Sequence, residues 1–133
     1  MTAALGMVWL ATACSGSASS GHGRVVQVQE KDFRISMAGS IPAGDVTIES
    51  SNLGPDAHEL IVVRSAGDAL PLRPDGITVD EDALSKAEAG AIEPFQPGTT
   101  AELHVHLNPG VYLFLCNMAG HYRGGMSTLV TVT

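Results

Sequence analysis

The sequence predicts an all-β domain, a Greek-key β-sandwich of seven to eight short antiparallel strands. Three observations predict it. Short runs rich in Val, Ile and Thr recur from residue 24 to the C-terminus, and β-branched residues favour the pleated, half-buried surface of a sheet. Gly, Pro, Asn and Asp break these runs at short intervals, as turns require. One long irregular stretch interrupts the series, as a crossing from one sheet to another would.

Taken in order, Val25-Val26-Gln27-Val28 begins the first strand, and Phe33-Arg34-Ile35-Ser36-Met37 alternates as a second. Ile41-Pro42-Ala43-Gly44 is a turn that leads into Val46-Thr47-Ile48-Glu49. Leu53-Gly54-Pro55-Asp56 is a loop, followed by the apolar run Leu60-Ile61-Val62-Val63. Thr100 to Leu107 alternates without a fault. Ala101, Leu103, Val105 and Leu107 share one face, and Glu102, His104 and His106 share the other. Asn108-Pro109-Gly110 turns the chain into Val111-Tyr112-Leu113-Phe114-Leu115, which ends at Cys116, and Ser127 to Thr133 closes the domain. Between Ala66 and Gly98 the pattern lapses. Here Asp75, Asp80, Glu81, Asp82, Glu88 and Glu93 make the most acidic part of the chain, and a short helix or irregular insert is expected around residues 78–92. This stretch reads as a solvated connection rather than a docking surface.

The length of 133 residues suits one domain. A net charge of −7 argues against nucleic acid, whose phosphates need a basic footprint. The first thirteen residues are uncharged and apolar or small, too short a run to span a bilayer. They lead into Ala11-Thr12-Ala13-Cys14 and a Ser/Gly-rich stretch. This resembles the end of a bacterial lipoprotein signal peptide, with residues 1–13 as its remnant, Cys14 as the lipidated residue and 14–23 as a flexible tether. Ala11 stands where such signals carry Leu, and the basic n-region is missing, which points to a start upstream of Met1. The expected location is therefore outside the cytoplasm, in a bacterial envelope or periplasm, with membrane contact only through the lipid. Residues 24–133 form the domain, expected to be a monomer.

The chemistry is concentrated in Cys116-Asn117-Met118-Ala119-Gly120-His121-Tyr122-Arg123-Gly124-Gly125-Met126. Cys, His and Met stand at five-residue intervals in the loop between the last two strands. A thiolate, an imidazole and a thioether on one loop form a soft donor set suited to copper. Zinc sites seldom use Met. One further imidazole completes two His and one Cys in a plane with Met as a weak axial ligand, and His58, at the start of a strand, is the natural donor. Singly, each residue has a bland reading: Cys116 a small core residue, His121 a loop residue, Met126 filler. Core packing does not explain their common spacing.

These two segments, Asn52 to Leu60 and Cys116 to Met126, resemble the ligand segments of the cupredoxins, and the Cys-x4-His-x4-Met spacing is similar to that of rusticyanin and sulfocyanin. The resemblance implies one type 1 (blue) copper held by His58, Cys116, His121 and Met126, in a protein that carries single electrons and turns over no substrate. It further implies that His121 lies in an apolar patch, for which Leu53, Pro55, Met118, Ala119 and Tyr122 are candidates, and that redox partner proteins dock there. The residue after the first ligand His is usually Asn in azurin and plastocyanin. Here it is Glu59, while Asn117 follows Cys116, so a hydrogen bond joining these two positions is expected, with Asn117 also near the thiolate. The alternative function is copper delivery or buffering in the envelope, which calls for exposed, exchangeable Met and His clusters. His104-Val105-His106 echoes the His-x-His pairs of multicopper oxidases. Those enzymes flank the copper Cys with His, whereas Leu115 and Asn117 flank Cys116, so both histidines are expected to be simply exposed.

Overall fold

Eight strands and one single-turn helix make up residues 23–133, which are the residues described by the computed structural model. The signal remnant, Cys14 and the tether as far as residue 22 lie outside them. Among the described residues no helix is long and apolar enough to cross a membrane. In chain order the elements are β1 (Arg24–Lys31), β2 (Arg34–Met37), β3 (Gly44–Asn52), β4 (His58–Arg64), α1 (Glu81–Leu84), β5 (Glu88–Phe95), β6 (Thr100–Leu107), β7 (Gly110–Leu115) and β8 (Ser127–Val132). They form two four-stranded sheets in the orders β2-β1-β3-β6 and β5-β4-β7-β8, so the predicted all-β sandwich is the observed one.

Period-2 alternation turns one row of each strand inward. Val26 and Val28 of β1 and Val46 and Ile48 of β3 meet Leu60 and Val62 of β4, Phe114 of β7 and Val130 and Val132 of β8 in one core. Removing each such side chain from water contributes about 1.5–3 kcal/mol. β4 is buried on both faces. Its other row, Ile61 and Val63, packs with Leu115 under Val79 and Leu84 of the insert. The acidic stretch thus does structural service: two apolar residues roof the second sheet while its carboxylates face water.

Two expectations need correction. The sandwich is not wholly antiparallel, because β1 and β3 pair in parallel from Arg24↔Val46 to Glu30↔Asn52. After β2 the chain crosses to the other sheet, where fully buried Ile41 bridges to Val132, before it returns beside β1. A strand with one buried face alternates whichever way its neighbour runs, so periodicity cannot report that direction. The second correction concerns residues 78–92. The helix there is only Glu81–Leu84, and β5 from Glu88 is a true edge strand paired to β4. Only Ile92 of β5 is buried, and Gly90 and Pro94 weaken its strand signature. Both residues fit an edge: Pro94 needs no ladder partner on its open side, and a Cβ at Gly90 would stand only 3.1 Å from Leu103 of β6.

Candidate metal centre

The site lies where three connections converge: the β1–β2 turn, the β3–β4 loop and the β7–β8 loop. The β3–β4 loop is fixed by buried Asn52. Its side-chain Oδ1 accepts the N–H of Gly54 at 2.7 Å, and its Nδ2 donates to the carbonyls of Asp56 and Phe95, each at 3.0 Å. The loop therefore delivers His58 to the first position of β4, pointing inward and fully buried. The β1–β2 turn is tied to the same loop. Leu53 N–H donates to Glu30 O at 2.7 Å, and Asp32 N–H donates to Gly54 O at 3.3 Å.

Two of the turns in the β7–β8 loop end at predicted ligands. His121 N–H donates to Met118 O at 2.8 Å, and Met126 N–H donates to His121 O at 3.0 Å. Cys116 N–H closes the loop by donating to Met126 O at 3.1 Å. Gly120 (φ +82°) and Gly125 (φ +98°) precede His121 and Met126. Only glycine adopts this left-handed backbone without strain, and each reversal returns the following side chain to the same spot. That is the local reason for a Cys-x4-His-x4-Met spacing.

Three of the four predicted ligands meet atom to atom. His121 Nδ1 lies 3.5 Å and His58 Nδ1 3.9 Å from Cys116 Sγ. The ligating atoms of these three residues all lie within 4.8 Å of one another, and all three residues are buried. A trigonal ion with a metal–sulfur bond of about 2.3 Å and metal–nitrogen bonds of about 2.0 Å needs S···N separations of roughly 3.7 Å. The two observed separations bracket that value. Met126 is fully buried at the end of the loop. The donor set of two imidazoles, one thiol and a neighbouring thioether fits copper. No other group of three His, Cys, Asp or Glu converges in this way among the described residues.

Burial sets the protonation of these donors. The Cys116 thiol is pushed up to about 12, chiefly by desolvation, with the backbones of Glu59 and Met118 pulling the other way. Desolvation also lowers His58, partly opposed by the Asp32 carboxylate. Its ring is therefore neutral and has a lone pair to give.

The Glu59 carboxylate is pushed up to about 7 by burial and then the Glu81 charge, with the Asn117 backbone pulling the other way and the Glu93 charge adding a little. The Asn117 side chain turns away to the insert. Its Oδ1 accepts Val79 N–H at 2.6 Å, and its Nδ2 donates to Val79 O at 3.1 Å and Glu81 Oε1 at 2.7 Å. The Asn117 amide is thus committed to the insert rather than to the thiol.

Three residues escaped the sequence reading. Asp32 Oδ1 lies 3.0 Å from His58 Nε2. Glu30 is fully buried on the inward face of β1, where it accepts the Ser50 hydroxyl at 2.6 Å and leaves Oε2 without a partner. Phe33, about half exposed, stands edge-on to the His121 ring at 5.2 Å. Of the predicted apolar patch, Leu53, Pro55 and Ala119 are exposed and Met118 is half-buried against the core, whereas Tyr122 packs towards the roof of the second sheet. His121 itself retains 7% exposure, enough to bring its ring edge to the rim. His104 and His106 lie on the outer face of β6, bonded to Thr47 Oγ1 at 2.9 Å and Asp45 Oδ1 at 2.7 Å, far along the strand from this cluster.

Solved structures share this architecture. A dithionite-reduced auracyanin from Roseiflexus castenholzii superposes with a TM-score of 0.64 at 21% identity, over 85% of this chain and 99% of its own. The fold is that of the cupredoxins. Auracyanin A, a "blue" copper protein from Chloroflexus aurantiacus, gives a TM-score of 0.62 at 19% identity, covering 82% and 98% of the two chains. Rusticyanin from Thiobacillus ferrooxidans gives 0.59 at 15%, covering 84% and 79%. No protein-family model matches the sequence, and no curated protein sequence does. At these identities the likeness establishes the cupredoxin fold, and the case for a cupredoxin metal site rests on the donor geometry of this chain.

Proposed function

We propose that this domain is a type 1 copper protein that carries single electrons between redox partner proteins. The observation that carries the reading is the buried meeting of His58 Nδ1, Cys116 Sγ and His121 Nδ1 at trigonal spacing. Copper held there supplies a one-electron Cu(I)/Cu(II) couple. The chain's part is to hold the donors still. Both imidazoles and the sulfur are buried, and little solvent enters. Such a frame suits both oxidation states and keeps reorganisation small.

His121 is the natural route for the electron, since it is the ligand whose ring reaches the rim. Phe33 and Leu53, 48% and 53% exposed, together with Pro55 and Ala119, give the partner an apolar surface to dock against. Asp56, whose Oδ2 lies 3.8 Å from His121 Nε2, adds one negative charge beside it. Ala11-Thr12-Ala13-Cys14 and the Ser/Gly stretch support an extracytoplasmic, lipid-anchored placement in the cell envelope. Copper delivery is the competing reading.

Proton NMR of mixed reduced and oxidised protein tests the reading. Electron transfer predicts exchange-broadened His121 and Phe33 resonances and copper retained through repeated redox cycles. Loss of the copper to a competing Cu(I) chelator on reduction, with no broadening, is the result expected of a delivery protein.

A further inference from the structure

The His58 ring presents two nitrogens to two different neighbours. Nδ1 faces the Cys116 sulfur at 3.9 Å, and Nε2 faces Asp32 Oδ1 at 3.0 Å. The His58 side chain is fully buried and that of Asp32 only 15% exposed. The 3.0 Å contact falls outside hydrogen-bond geometry, and neither Nε2 nor Oδ1, both buried, has any other hydrogen-bond partner. Asp32 is held beside the ring by its own backbone, whose N–H donates to the Gly54 carbonyl at 3.3 Å. A neutral imidazole carries one N–H, and the acceptor beside one nitrogen decides which nitrogen keeps the lone pair. With a carboxylate beside Nε2, the proton is favoured there and Nδ1 is left free towards Cys116.

We propose that Asp32 is a positioning residue for the metal centre, accepting the His58 Nε2–H to aim the Nδ1 lone pair and placing a fixed negative charge behind that ligand. The proposal rests on the copper reading above. The carboxylate raises the donor strength of His58, as carboxylates behind metal-bound histidines do. Its charge favours the more positive oxidation state, so Asp32 biases the couple towards Cu(II). The supporting framework is the β1–β2 turn, which the Asp32 and Leu53 N–H bonds tie to the β3–β4 loop. The turn that carries the Asp32 carboxylate is therefore held against the His58 loop by backbone bonds.

Asp32→Asn keeps an acceptor of the same shape and removes the charge; Asp32→Ala removes both. With copper bound, Asp32→Asn is expected to weaken Cu(II) binding by roughly 10–100-fold, the range for losing such a partner, with a smaller loss for Cu(I). The Cu(I):Cu(II) ratio at a fixed applied potential then rises correspondingly. In the metal-free protein, 15N NMR is expected to show His58 as the Nε2–H tautomer, with a measurable Nδ1–H population in Asp32→Ala. An unchanged redox partition in Asp32→Asn that retains its blue band, together with an unchanged tautomer in Asp32→Ala, overturns the proposal. Absence of a blue band from the wild type removes the copper reading instead, and the tautomer comparison then still decides whether Asp32 positions His58.

Discussion

Cys116→Ser is expected to weaken copper binding by more than about 100-fold, beyond the range for losing a partner one step removed from the metal. It is also expected to abolish the pH dependence that the thiol imposes. In the metal-free protein burial holds the Cys116 thiol at about 12, so binding a metal must expel its proton. Apparent affinity should therefore climb about tenfold per pH unit through pH 8–9.5, a window above the ordinary histidine range. His58, lowered by burial, is already neutral there and contributes no proton. Chelator competition across that window checks both halves: a steep line for the wild type, and a nearly flat line of much weaker affinity for the serine variant. Parallel lines for the two proteins would mean that Cys116 is not a ligand.

Glu30→Gln is expected to stabilise the metal-free fold at pH 8 by roughly 3 kcal/mol, the worth of the displacement of Glu30 from its ordinary 4.5 to about 7. The cause is desolvation, which the Ser50 hydrogen bond only partly offsets and the Glu59 charge reinforces. The sign follows from the proton: the folded state holds it more tightly than the unfolded chain. The contribution of Glu30 to stability is complete below about 4.5 and is lost as pH rises to about 7. Glutamine mimics the protonated acid at every pH. The two proteins should therefore unfold alike in urea at pH 4 and separate progressively up to pH 7. Glu59, itself pushed up to about 7, leaves some pH dependence in both. Equal stability at pH 8 would show that the Glu30 carboxylate is satisfied when charged.

Most of the strands were legible because one buried face imposes alternation, and β6 carries that signal without interruption from Thr100 to Leu107. β5 was not, because an edge strand with one buried residue, a glycine and a proline has little alternation to show. The site was legible to the extent that it is local. Cys116, His121 and Met126 come from one loop whose glycines fix the spacing, and His58 stands at a visible strand start. Asp32 and Phe33 were hidden because their relation to the site is made by folding. The Leu53–Glu30 and Asp32–Gly54 backbone bonds, which tie the β1–β2 turn to the β3–β4 loop, leave no mark in the local sequence. Glu30 did leave a trace: Val26, Val28 and Glu30 continue one alternating row, so its inward direction could have been read. The Asn117 side chain illustrates the opposite limit. Its partners, Val79 and Glu81, lie 38 and 36 residues away in an insert with no periodicity to place it.

The central claim is a copper–thiolate site of trigonal geometry, and the visible absorption and EPR spectra of the Cu(II)-loaded protein test it most directly. An intense band at roughly 600 nm with a compressed copper hyperfine splitting is the predicted result for two imidazoles, one thiolate and a weak axial thioether. A weak d–d spectrum with ordinary Cu(II) hyperfine splitting would contradict the account.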